Sequence, residues 1–307
     1  MDLFGDNLGF CGILKKSFNI LCSHKIIFLQ ISLALLLPIG IISQIFSVIS
    51  PLVVITIANL SEESSPTVTL VVLALIHILA IISLIILSLL ATAAIVIAAA
   101  QTYLQIPLNF PSIIKRTPRT LKKLFITFLW SVLLNVVYIV VLLGLAVLVL
   151  VFLPGSTLGL VILIVLLICY LVGSLYISIV TNVASVVSVL EGAYGRAAIV
   201  RSRDLVRGKV IVAGLILIIC GLLTVGIQLA LSLVDMGDPN NVLKRVIVGV
   251  ASCVVIMVVA PVVQVIYTVL YVACRVFHTE VINGSLLASH LDAYSGGYVA
   301  LKVVDSG

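Results

Sequence analysis

Long apolar runs alternate with short clusters of cations along this chain. Residues 26–61, 64–114, 124–190, 210–234 and 246–274 contain no Asp, Glu, Lys or Arg. Each run exceeds the roughly 20 apolar residues that cross a bilayer core as a helix. Pro154-Gly155-Ser156 is a turn signal inside the longest run, so two helices are expected there, near 124–152 and 158–188. Residues 68–106 carry no comparable break. Were that run two spans, the cations Lys115, Arg116, Arg119, Lys122 and Lys123 would lie across the membrane from those around Arg201. Read as one span, it brings every large basic cluster to one face. The pattern therefore predicts six spans, beginning near 26, 68, 124, 158, 210 and 246, with Pro38 and Pro261 as kinks supported by neighbouring helices.

Composition makes lipid the solvent for most of the chain. The hydrophobic fraction is 63%, the mean hydropathy +1.41, and 9% of residues are charged, whereas a soluble domain carries about a quarter. Lys and Arg near span ends stay cytoplasmic. On the six-span topology, of the 17 basic residues only Lys244 and Arg245 face the opposite side, so both termini are expected in the cytoplasm. Glu62, Glu63, Asp235 and Asp238 fall on that opposite side. The net charge of +6 reports topology. It does not suggest nucleic-acid binding, because the cations border spans and lack interleaved base-stacking aromatics. The first span is expected to act as an uncleaved anchor, since its apolar run follows Lys15, Lys16 and Lys25 and is too long for a signal peptide.

Three segments share a pattern: "GILKKSFNILCSHKI" from Gly12, "SIIKRTPRTLKKLF" from Ser112 and "AIVRSRDLVRGKV" from Ala198. Each has two aliphatics, a basic residue, a small or polar group, Leu, then Lys before a span, and each is followed by two spans. The expected organisation is a single membrane domain over 1–275, made of three helical-hairpin repeats (about 8–107, 111–190 and 193–275), and a polar cytoplasmic tail over 276–307. Shared membrane constraints alone would account for part of this likeness.

Helical periodicity gives the basic segments two faces. At 100° per residue, Arg196, Arg203 and Arg207 fall within about 40° of one another, with Tyr194, Ala198, Ser202, Leu205 and Val206 elsewhere on the wheel. In the first segment, Gly12, Lys15, Lys16, Asn19 and Ser23 form a polar arc, opposed by Cys11, Leu14, Phe18, Leu21 and Cys22. Helices of this kind lie in the interface, apolar side in the acyl boundary and cations among phosphates. The middle segment is expected to be irregular, because Pro111 and Pro118 interrupt it. Lys15, Lys16, Lys122, Lys123, Arg196, Arg203 and Arg207 are thus candidate contacts for lipid, anionic lipid in particular, or for a membrane or cytoplasmic protein partner. A second reading stays open in which these cations only fix topology.

The even-numbered spans become more polar toward their cytoplasmic halves. Gln101 and Gln105 in the second span, Thr181, Asn182 and Ser185 in the fourth, and Gln264 and Thr268 in the sixth share helix faces. If the repeats surround a threefold-like axis, these residues line a cavity open to the cytoplasm; otherwise they are ordinary interhelical hydrogen-bonding groups. Asn135 is read as such glue.

Chemistry is sparse. No HExxH, GxSxG, P-loop or dinucleotide glycine fingerprint occurs, so no catalytic, metal or cofactor site is assigned. "DMGDPNN" is read as a solvated turn. The six cysteines, at 11, 22, 169, 220, 253 and 274, lack a CxxC or metal-like spacing. Buried packing is the favoured role for Cys11 and Cys22, with palmitoylation the alternative.

The six spans together with "AYGRAAIVRSRDLVRGKV" resemble an uncharacterised plant multispan membrane family, sometimes labelled polyadenylate-binding-protein-binding. More remotely, the chain is similar to the non-catalytic membrane domain attached to some bacterial glycerophosphodiester phosphodiesterases, whose Ser, Leu, Gly signature would fall on Ser202, Leu205 and Gly208. That resemblance implies no hydrolase activity, since the soluble catalytic domain is missing, and no docking motif for a poly(A)-binding protein is visible. The expected protein is an all-α polytopic membrane bundle with cytoplasmic amphipathic basic helices, resident in the endoplasmic reticulum, another endomembrane or the plasma membrane. Its expected role is a non-enzymatic membrane organiser or interaction scaffold; the alternative is a carrier or channel for a small polar or amphiphilic solute.

Overall fold

A computed structural model describes residues 9–45, 66–103, 110–235 and 242–277. The helices are α1 Phe10–Ser23, α2 Lys25–Ile45, α3 Pro66–Tyr103, α4 Phe110–Phe152, α5 Thr157–Leu190, α6 Arg196–Val206, α7 Val210–Asp235 and α8 Val242–Phe277. Among the described residues there is no strand. Six of these helices, α2, α3, α4, α5, α7 and α8, contain stretches long and apolar enough to cross a membrane. The protein is an all-α polytopic bundle. Helix is the state these sequences must take in hydrocarbon, where every backbone N–H and C=O has to be satisfied within the segment.

Local chemistry sets the helix boundaries. Gly155 takes a φ of +70° between α4 and α5, a left-handed turn that costs glycine little. Ser156 then caps α5, its hydroxyl accepting from the Gly159 N–H at 3.0 Å. Within α2, residues Ser32–Leu36 form a π-helical turn ahead of Pro38, the widened geometry by which a helix absorbs a local insertion or a missing donor. The run beginning near residue 68 is one helix, as its pattern implies.

The middle basic segment departs from expectation. Instead of breaking at Pro111 and Pro118, α4 runs continuously from Phe110 to Phe152 with Pro118 inside it. Pro111 stands in the first turn, where its missing N–H would have had no partner. Around Pro118, the hydroxyls of Thr117 and Thr120 donate to the carbonyls of Ile113 and Thr117, both at 2.8 Å. Ile113, Thr117, Thr120 and Leu124 are buried, so packing supports this stretch from outside. The segment around Lys122 is therefore the start of a span helix, not a separate helix in the interface.

Helices α3, α5 and α8 pack on one another pairwise, and most of what they bury lies toward their C-terminal ends. Ala93 to Gln101 of α3, Val186 to Leu190 of α5 and Val265 to Cys274 of α8 are continuously buried. Burial on every side of a helix is the mark of a core element. Lipid is as apolar as these side chains, so their association rests on close packing more than on the hydrophobic effect. The run of Ala91, Ala93, Ala94, Ala98, Ala99 and Ala100 lets neighbouring backbones approach closely. The far ends of α4 and α5 are the opposite case: Leu143, Val151, Leu171 and Val172 are all exposed, as lipid-facing residues are. Helix α1 packs against α8 and α3, and α6 packs against α5, α8 and α4. The first described helix thereby closes onto the last.

Candidate functional site

The short helices α1 and α6 meet the C-terminal ends of α3, α5 and α8 at one end of the bundle, which carries most of the described cations. The turn leading into α6 contains Gly195, at φ +63°. A Cβ there would sit 3.1 Å from Trp130 Cδ1 and 3.2 Å from Ile126 Cγ2. Its N–H donates to the Thr127 hydroxyl of α4 at 2.9 Å, a buried bond that fixes where α6 begins. The Ser202 hydroxyl donates to the Val180 carbonyl of α5, also at 2.9 Å. Together these bonds hold α6 across the bundle.

Docked in this way, α6 buries Ala198, Ser202, Leu205 and Val206 and leaves Arg196, Arg203 and Arg207 exposed. The division between cationic and apolar residues follows the periodicity. The covering does not: the face expected in the acyl boundary rests on other helices of the protein. Tyr194 also leaves that face and stands exposed.

Helix α1 behaves similarly, with a rotated face. It buries Ile13, Ser17 and Ile20, while Leu14 and Leu21 are half-buried. Cys11, Lys15, Phe18 and Cys22 are exposed. The expectation of buried packing for Cys11 and Cys22 is thus overturned, because the line through Ile13, Ser17 and Ile20 meets the bundle instead. Lys16 is half-buried, its ammonium 4.5 Å from the Tyr103 ring centre and donating to the Tyr103 hydroxyl at 3.3 Å. That geometry is a cation–π contact at the end of α3. Lys122 is exposed; Lys123 is half-buried, with its ammonium beside Gly192.

Sequence reasoning missed the most connected group at this end. Glu191 caps the C-terminus of α5, where a negative charge opposes the helix dipole and needs compensation. It receives it from three side chains. Tyr271 donates to Oε1 at 2.5 Å, Arg201 Nε donates to Oε2 at 3.4 Å, and Arg275 Nη1 lies 3.7 Å from Oε1. Arg275 also donates to the Tyr271 hydroxyl at 3.1 Å. Helices α5, α6 and α8 are tied through one carboxylate. The available signal was an acid directly ending a long charge-free run; periodicity gave no hint of its partners. Asp204 lies 3.9 Å from Arg203 Nε, and both are exposed.

The polar residues of the even-numbered spans are distributed differently. Gln101 and Thr268 are buried in the core, and the Gln101 side-chain oxygen has no hydrogen-bond partner among the described residues. Thr181, Asn182, Ser185 and Gln264 are half-buried. Several satisfy themselves along their own helix: Asn182 donates to the Ser178 carbonyl at 2.8 Å, Ser185 to that of Asn182 at 2.6 Å, and Thr268 to that of Gln264 at 2.9 Å. Asn135, expected to bond between helices, donates to the Ser131 carbonyl within α4. Gln105, the "DMGDPNN" turn beyond Asp235 and the tail beyond Phe277 lie outside the described residues.

A family described as a domain of unknown function, DUF8558, matches residues 5–306. The chain belongs to this family. No curated protein and no solved structure matches it. Membership of the DUF8558 family spans the whole bundle, so α1, α6 and all six apolar helices belong to one family unit.

Proposed function

We propose that this DUF8558 protein is a non-enzymatic membrane organiser whose basic end faces the cytoplasm and contacts anionic lipid headgroups. The observation that carries the reading is the exposure of Arg196, Arg203 and Arg207 along one edge of α6, whose other face is fixed to the bundle. A cationic edge held rigidly at a span boundary loses little entropy on meeting a phosphate layer. Each such cation near an acidic leaflet contributes about 1 kcal/mol. A threefold hairpin repeat fits the same picture. Helix α4, which begins with the second basic segment, packs on α3, α6 packs on α5, and α1 packs on α8, which would close the cycle.

The test uses the full chain reconstituted in phosphatidylcholine vesicles, with spin-labelled phosphatidylserine or phosphatidylcholine as reporter. The expected result is a larger motionally restricted fraction for phosphatidylserine, falling several-fold toward that of phosphatidylcholine when Arg196, Arg203 and Arg207 are changed to Gln. Equal restriction of both lipids by the unmodified chain would remove headgroup contact from the reading.

A carrier or channel for a small polar solute is the second reading, favoured by the half-buried Thr181, Asn182, Ser185 and Gln264. Solute flux into the same vesicles, lost when Asn182 and Gln264 are replaced by Leu, would move the assignment there.

A further inference from the structure

Between α5, α7 and α8 lies a groove of about 500 Å³, lined by Leu175, Leu217, Ile218, Leu222 and Val263 together with Ser178, Asn182, Thr224 and Tyr267. Its volume falls within the roughly 300–1,000 Å³ typical of small-molecule sites. Its outer rim, Ile218 and Leu222, is exposed, whereas Tyr267 on its floor is 3% exposed. All three helices are spans, so the groove opens sideways into hydrocarbon. Asn182 stands two residues from Val180, the acceptor of the Ser202 hydroxyl, so the polar end of the groove lies level with the basic helix α6 and the leucines extend away from it.

Two polar groups in this groove are unspent. The Tyr267 hydroxyl makes no hydrogen bond to any described residue. The Asn182 amide donates along its own helix, but its side-chain oxygen accepts nothing among the described residues. A polar group that borders apolar surroundings without a partner is costly. A phenolic hydroxyl can donate and accept, and a carboxamide oxygen only accepts. A ligand hydroxyl has the chemistry for either, since it can accept from Tyr267 and donate to Asn182. A charged headgroup is excluded by chemistry, because no Asp, Glu, Lys, Arg or His lines the groove.

We infer that this groove is a binding site for an uncharged membrane lipid bearing a hydroxyl group, its hydrocarbon part against Leu175, Leu217 and Leu222 and its hydroxyl between Tyr267 and Asn182. The site is separate from the cationic edge of α6, so it stands whatever becomes of the headgroup contact there.

Three photoactivatable, alkyne-tagged probes with the same chain test the inference in vesicles holding the full-length protein: a long-chain alcohol, the matching fatty acid and the matching hydrocarbon. The alcohol is expected to crosslink to peptides containing Leu217 to Thr224, to be displaced by excess unlabelled alcohol, and to lose labelling several-fold in Tyr267→Phe and in Asn182→Leu. Tyr267→Phe preserves shape and packing, so its loss of labelling reads the hydroxyl alone; the hydrocarbon probe, unaffected by either variant, reports that the bundle is intact. Equal labelling of these peptides by alcohol and hydrocarbon, preference for the fatty acid, or alcohol labelling unchanged in Tyr267→Phe would overturn the proposal.

Discussion

The Tyr271 hydroxyl donates to the carboxylate of Glu191, joining the last turns of the final span to the end of the fourth across a sequence separation of 80 residues. Arg201 and Arg275 lie on the same carboxylate, so a single acid gathers two arginines and a phenol. Removing it would take the shared carboxylate from two arginines and a phenol at once.

Glu191→Ala is therefore expected to destabilise the folded bundle by about 2 kcal/mol, below the roughly 3–5 kcal/mol of a fully buried pair because Arg201 is partly solvated. Tyr271→Phe removes two hydrogen bonds, the one to Glu191 and the one from Arg275, and is expected to cost about 1–2 kcal/mol. Thermal unfolding in detergent micelles measures both. A Glu191→Ala melting temperature equal to that of the unmodified chain would show that the cluster contributes nothing to stability.

The turn before α6 offers a second test. Gly195 combines a positive φ, a buried N–H bonded to Thr127 and side chains of Trp130 and Ile126 where a Cβ would go. Gly195→Ala should cost about 2 kcal/mol through backbone strain and crowding. Thr127→Val should cost about 1–2 kcal/mol by leaving that N–H without its acceptor, with Thr127→Ser close to neutral. Limited proteolysis around residues 192–196 reads the consequence directly. Cleavage no faster in Gly195→Ala than in the unmodified protein would contradict the anchoring role given to this turn.

Cysteine accessibility separates the outer face of α1 from the core. Cys11 and Cys22 are exposed and Cys274 is buried. In single-cysteine variants, a membrane-impermeant maleimide should modify the first two at least ten times faster than the third. If the basic end faces the cytoplasm, that labelling requires permeabilised cells or inverted vesicles. Rapid labelling of Cys274 would contradict the packed core, and labelling of Cys22 from outside intact cells would reverse the proposed orientation.

The spans and their boundaries were legible because hydrocarbon imposes a local rule: each segment must satisfy its own backbone, so length, apolarity and turn residues such as Pro154 and Gly155 suffice. The exposed cations of α6 were legible for a related reason, since a guanidinium's need for water or phosphate is a property of the residue itself. Pro118 was misread because its cost depends on the packing and hydroxyl groups around it, and the buried role expected for Cys11 and Cys22 failed because a helical wheel gives faces but not the angle at which they dock. The Glu191 cluster, the seating of Ser202 on Val180 and the lateral groove beside Tyr267 arise from residues far apart in sequence. Sequence alone determined that this chain lives in lipid as a helical bundle with a cationic end, because those properties add up residue by residue. Only the tertiary structure decided which apolar faces meet protein and which meet lipid, because in a chain this apolar nearly every face suits either, and the choice falls to the fit between packed helices.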